Sequence, residues 1–191
     1  MKPWMVVSFH TPDKIYVDHA IGLRNSLQAF KIAYDIEQLA SQGDWQINAK
    51  MKPNFILRKL DQYPGYNMVW IDIDGRVRRY PILFDTLDAD IAAHWRLRKC
   101  PLAGTMYFRN SPISRDLLRT WIEETIKPIR DPYGDQSSLK NVLQNNPGRW
   151  KIVDLPAPYT LIFDTMRKQG PPVIEHLQAS RQAHKKEKEK T

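Results

Sequence analysis

Cysteine is almost missing from this chain of 191 residues, with Cys100 alone present. No internal disulfide can form, and a reducing, cytoplasmic setting is expected. Cys100 is followed by Pro101 and has no base-like pattern around it, so it reads as a packed thiol rather than a nucleophile. Long apolar runs are missing too. None approaches the roughly 20 residues that span a bilayer, so no membrane span is expected. The opening "MKPWMVVSFHTP" lacks the extended apolar region and cleavage site of a signal peptide and reads as a first strand. There is no internal repeat and no low-complexity linker. Helix-turn-helix, zinc-finger and RNP-type patterns are also absent. Acidic residues are in deficit, 21 against 29 Lys and Arg, giving a net charge of +8. A basic chain favours anionic partners: nucleotides, nucleic acid or an anionic surface.

The remaining composition, 42% hydrophobic and 26% charged, is that of a soluble globular chain with one sizeable core. Residues 1–182 are expected to form a single domain. The Lys-rich segment 183–191 is charged, poor in apolar residues and expected to be frayed.

Strand-like and helix-like patterns alternate. Residues 4–9 form an apolar run closed by His10, Thr11 and Pro12. Leu23, Leu27 and Phe30 recur at helical spacing from about 18 to 32, with Asp18 as the expected N-cap. Residues 33–39 give a second strand and 53–60 a short helix. Residues 67–74, "NMVWIDID", read as a central strand covered on both faces. Residues 88–95 and 102–108 are further strands. Ser111 and Pro112 open a helix with a wide apolar stripe through Leu117, Leu118 and Trp121. Another helix follows "GDQSS" through Leu139, Val142 and Leu143, and late strands are expected at 150–155 and 159–163. Such alternation predicts an α/β layered fold with a mostly parallel central sheet. Ligands bind such sheets at the carboxyl ends of their strands.

Asp72 and Asp74 lie at one such end. On a persisting strand, residues two apart share a side. Two ionised carboxylates so placed repel unless a cation sits between them, and oxygen ligands beside a phosphate suit Mg²⁺ or Mn²⁺. An Asp-Gly turn accounts for Asp74 and Gly75 without chemistry, but not for Asp72 at the end of "MVWI".

In its motif order the chain resembles nucleotide-diphospho-sugar transferases of the GT-A type, in particular the galactosyltransferase- and glycogenin-like branch. There an apolar strand ends in D-x-D, as "VWIDID" does. "ADIAAHW", "LAGTMYFRNSPISRDLLRTWIEE", "GDQSSLKNVL" and "PVIEHLQASR" then follow in the family's order. The resemblance implies a GT-A-like, Rossmann-like three-layer fold. It also implies a glycosyltransferase using a nucleoside diphosphate sugar, with a UDP-sugar as the expected donor. Asp72, Asp74 and His176 would hold Mn²⁺ or Mg²⁺ against the diphosphate. Asp135 and Gln136 would stand near the acceptor and the anomeric carbon. Ser8, His10 and Thr11 would lie beside the base and ribose. Lys52 and Arg58 are placed to reach a phosphate or the sugar, and Gly104 to let backbone approach the sugar closely. The acceptor stays open between glycan, protein and nucleic acid. In this branch the anomeric configuration is retained. Gly75 departs from the family, where an apolar residue is usual, and the short chain leaves little room for an acceptor domain.

Two rivals remain at this stage. "DIDGRV" also fits the first motif of haloacid-dehalogenase-like phosphatases, with Asp72 as nucleophile and Asp74 as acid/base. That motif belongs on a first strand, whereas a strand–helix–strand precedes it here. The late motif also lacks its second acidic residue at 136–139. The other rival is a basic nucleic-acid-binding module.

Overall fold

The computed structural model describes residues 2–127 and 134–181. The Lys-rich segment 183–191 lies outside the described residues.

β1 (Trp4–His10) is buried along its whole length, as its unbroken apolar run requires. Pro12 ends it, and α1 (Lys14–Ala29) follows. The expected start of this helix at Asp18 is corrected. Asp13 occupies the N-cap position without a side-chain cap bond; its carboxylate instead takes the Thr11 hydroxyl at 2.7 Å. Asp18 sits a turn inside the helix and pairs with Lys14 at 3.2 Å on the surface. β2 (Tyr34–Gln38), α2 (Trp45–Lys50) and α3 (Lys52–Gln62) come next. β3 (Asn67–Ile71) is fully buried. The strand expected to reach 74 stops at Ile71. Asp72 keeps one cross-strand bond, its N–H donating to Gly104 O at 2.8 Å. The Gly75 N–H then bonds back to Asp72 O at 2.8 Å and closes a turn into β4 (Gly75–Val77).

A short α4 (Leu83–Thr86) leads to the hairpin of β5 (Ile91–Arg96) and β6 (Cys100–Phe108). α5 (Pro112–Thr125) begins where expected: the Ser111 hydroxyl accepts from the Ser114 N–H and Pro112 needs no N–H partner in the first turn. α6 (Gly134–Asn145), β7 (Ile152–Asp154), β8 (Leu161–Ile162) and β9 (Ile174–His176) complete the order. Part of the strand expected at 159–163 is instead a 3₁₀ turn, Ala157–Tyr159.

The six-stranded sheet has the order β2-β1-β3-β6-β5-β7. β1 is parallel to β2 and β3, β5 is parallel to β7, and β6 runs antiparallel to both its neighbours. Five of the six strands therefore point one way, and the mostly parallel α/β sheet is as expected. Alternation along β1 and β3 splits the core. Val6, Val69 and Ile71 pack with Leu23 and Leu27 of α1 on one face. Val7, Phe9, Met68 and Trp70 pack with Phe55, Leu117, Leu118, Trp121 and Leu139 on the other. A second sheet, β4-β9-β8, brings the late segment onto the turn after β3, with Gly75 paired to His176. No helix among the described residues is long and apolar enough to cross a membrane.

Candidate active site

The carboxyl ends of β1 and β3, the start of α3, the start of α6 and β9 meet at one edge of the sheet. Asp72 comes first. Its Oδ1 accepts from Trp70 Nε1 at 2.7 Å and faces Lys52 Nζ at 2.9 Å. Lys52, at the head of α3, is buried. Its ammonium also donates to Asp135 Oδ2 at 2.6 Å and to Ala103 O at 3.0 Å. It lies 5.2 Å from the centre of the Trp70 ring. One cation thus holds two carboxylates from distant segments. Burial pulls the Lys52 pKa down, but Asp135 and Asp72 outweigh it and leave it above the usual lysine value. Burial pushes the Asp72 carboxyl up; Lys52 opposes this, and Asp74 and Asp135 add to it.

Asp74 turns elsewhere. Its Oδ1 lies 3.0 Å from His176 Nδ1, and its Oδ2 accepts from the Ala179 N–H at 3.1 Å. His176 Nε2 lies 2.8 Å from Thr105 Oγ1. Burial would raise the Asp74 pKa, but His176 and the Ala179 amide outweigh it and hold it at about 2. Two glycines make room for the imidazole. A Cβ on Gly104 would stand 3.2 Å from His176 Cε1. A Cβ on Gly75 would stand 2.3 Å from Ile71 Cγ2 and 3.4 Å from His176 Cε1. Gly75, the departure from the family pattern, is thus required by the turn itself.

The two carboxylates therefore do not share a side through strand alternation, because the strand has ended before them. Asp72 is held on Lys52 and Asp74 on His176. Among the described residues no group of three His, Cys, Asp or Glu side chains is arranged to hold a metal. The 3.0 Å contact between Asp74 and His176 is a hydrogen-bonded pair, with the second Asp74 oxygen on the Ala179 N–H and the second His176 nitrogen on Thr105. As donor types, a carboxylate oxygen with an imidazole nitrogen suits Mn²⁺.

Ser8, His10 and Thr11 are buried at the end of β1. Ser8 Oγ is the one buried side-chain polar atom among the described residues without a hydrogen-bond partner. His10 Nδ1 lies 2.8 Å from Thr11 O. Gln136 donates through Nε2 to Cys100 Sγ at 3.3 Å, on the flank next to Asp135. Gly104 lies against the His176 ring. Arg58 is not brought to the cluster. It pairs with Glu37 of the edge strand β2 at 2.6 and 3.1 Å.

Trp70 and Arg76 join the site without having been singled out in the sequence, and Thr105, which the sequence offers only to the phosphatase reading, joins it too. Thr105 had a legible signal: it sits opposite Ile71 on the strand after the acidic pair. Arg76 had none. Its guanidinium donates to Gly75 O at 2.7 Å, meets His19 Nδ1 at 3.2 Å and lies on Gly22 of α1. Burial lowers its pKa, and Asp74 opposes this.

No protein-family model matches the sequence, and no curated protein does. Solved structures do. One is a glycosyltransferase involved in the glycosylation of the major capsid of PBCV-1. It is 13% identical, with a TM-score of 0.69 over 97% of this chain and 99% of that one. Another is the glycosyltransferase GlyE of Streptococcus pneumoniae TIGR4. It is 15% identical, with a TM-score of 0.59, and its match covers 91% of this chain and 54% of GlyE. Its apo form gives a TM-score of 0.57. The chain has the fold of these glycosyltransferases; neither a phosphatase nor a nucleic-acid module is favoured by it.

Proposed function

We propose that the chain is a GT-A type glycosyltransferase of the galactosyltransferase- and glycogenin-like branch, and that residues 1–182 act as one domain. It would take a glycosyl group from a nucleoside diphosphate sugar, most naturally a UDP-sugar, in a cytoplasmic setting. The bond from the anomeric carbon to the diphosphate oxygen breaks, and its electron pair leaves on the diphosphate. A bond then forms from that carbon to an acceptor oxygen or nitrogen, which loses its proton. The observation that carries this reading is the meeting of Asp74 with His176, 3.0 Å apart across 102 residues of chain, beside the Lys52-held Asp72 and Asp135.

Asp74, His176 and Asp72, released from Lys52, would hold Mn²⁺ or Mg²⁺. The ion supplies neutralisation of the departing diphosphate. Arg76 adds positive charge next to Asp74. Lys52 holds Asp135 in place, so that Asp135 presents its side chain near the cation-like anomeric carbon. Gln136 shapes the acceptor side. Ser8, His10 and Thr11 flank the base and ribose, and the unpartnered Ser8 hydroxyl is available there. Family resemblance implies retention of configuration, which NMR of the product anomer reads directly.

Thermal-shift titration of UDP-sugars, with and without Mn²⁺, tests the assignment. A donor at a hundred times its Kd raises stability by about 2.7 kcal/mol. The shift is expected only with Mn²⁺, and to vanish in Asp74→Asn. If no nucleotide sugar shifts the melt with either ion, the reading is wrong.

A further inference from the structure

The hairpin tip between β5 and β6 carries a surface outside the cluster of Lys52, Asp72, Asp74, Asp135 and His176. Leu97 and Arg98 have positive φ, 51° and 55°, the one place where two consecutive described residues do. Turns of this hand favour Asn and Gly, and other L-residues adopt it under strain. Arg96, Leu97, Arg98 and Lys99 are all exposed, with Leu97 at 81%. Among the described residues, no ion pair involves Arg96, Arg98 or Lys99. Asp154, at the hairpin's base, accepts from the Trp95 N–H at 2.8 Å and lies against His94. β5 runs parallel to β7 and antiparallel to β6, so its end opens on the same edge as Asp72. Gln136, next to Asp135, bonds to Cys100 at the hairpin's other foot. The tip therefore flanks the mouth of the site.

We infer that residues 96–99 seat the protein on an anionic membrane surface. Leu97 enters the boundary between headgroups and acyl chains, and the three cations meet lipid phosphates and carboxylates. Cations alone would suit any polyanion. An exposed leucine set between three cations adds the apolar contact that a lipid boundary offers and a soluble polyanion lacks. The net charge of +8 adds long-range attraction. With no helix among the described residues able to cross, the contact is peripheral. It does not depend on the proposed transfer reaction, and its consequence is that the mouth faces the lipid.

Flotation of the full chain with phosphatidylcholine vesicles, with and without phosphatidylserine, tests this. Binding is expected only with phosphatidylserine, and to weaken with salt. The triple variant R96Q/R98Q/K99Q should lose about a hundredfold in partitioning, at about fivefold for each cation. Leu97→Ser should lose about tenfold. Circular dichroism and melting midpoints serve as the fold control, and these exposed changes should leave both unchanged. Three results would each overturn the inference. The first is no preference for phosphatidylserine. The second is a triple variant that binds like the wild type, which moves the attraction elsewhere, as to the Lys-rich residues 183–191. The third is heparin binding as tight as vesicle binding and indifferent to Leu97→Ser, which would make the tip a site for soluble polyanions.

Discussion

Replacing Lys52 with Met removes one buried ammonium and leaves two carboxylates facing the space it filled. Lys52 is 3% exposed and touches Asp135 at 2.6 Å and Asp72 at 2.9 Å. Breaking a buried ion pair from one side costs about 3–5 kcal/mol. Most of this belongs to Asp135. The Asp72 side chain is 38% exposed, and solvent screens its share. At about 2–4 °C per kcal/mol for a chain of this size, Tm should fall by about 6–20 °C. The pH dependence between pH 4 and 8 should also steepen. In the variant, burial and mutual repulsion raise the folded pKa of one carboxylate above its unfolded value. The folded state then binds the extra proton, so stability rises as pH falls from neutral towards the unfolded pKa near 4. The wild-type lysine has a raised folded pKa, so its contribution is complete below about pH 10 and is lost only above that. Urea melts from pH 4 to 8 read both effects, and adding Asp135→Asn to the variant should recover part of the loss. A loss below about 1 kcal/mol, or a flat pH profile in Lys52→Met, would refute the view that one cation holds both carboxylates.

Gly104→Ala should displace the His176 ring, which a Cβ would approach to 3.2 Å. A cost of about 1–3 kcal/mol is expected, with Mn²⁺-dependent donor binding falling far more than stability, as calorimetry would show. Asp74 has a folded pKa of about 2 against about 3.9 unfolded. It should contribute about 2 kcal/mol that is present above pH 4 and lost as pH falls towards 2. Acid melts of Asp74→Asn should lack that portion. Arg58→Ala, which removes a surface pair with Glu37, should change stability by at most about 1 kcal/mol and leave donor affinity unchanged.

Much of this was legible in the sequence because its signals are local. The continuous apolar runs of β1 and β3 announced buried central strands, and Ser111–Pro112 announced a helix start. The acidic pair and His176 were picked out, and the fold does bring Asp74 and His176 together. Strand alternation misjudged how Asp72 and Asp74 are aimed, since Gly75 lets the chain turn three residues early. The second sheet was hidden for a related reason. β4 and β9 have three residues each, too few to show a period, and they pair across about a hundred positions. Arg58 had the right charge and lay one helix turn and a half from Lys52, but a periodicity argument cannot tell which face meets the edge strand. Arg76 owes its place to the missing side chain of Gly22, a complementarity no linear pattern records.

The joining of Gly75 to His176 has a consequence for biogenesis. A ribosome makes the chain from its amino end, so Asp74 emerges without its partner His176 until 102 further residues have followed. Closing so long a loop is entropically slow and comes late in folding. Chains ended before residue 176 therefore lack the Asp74–His176 contact and the β4–β9 pairing that carries it.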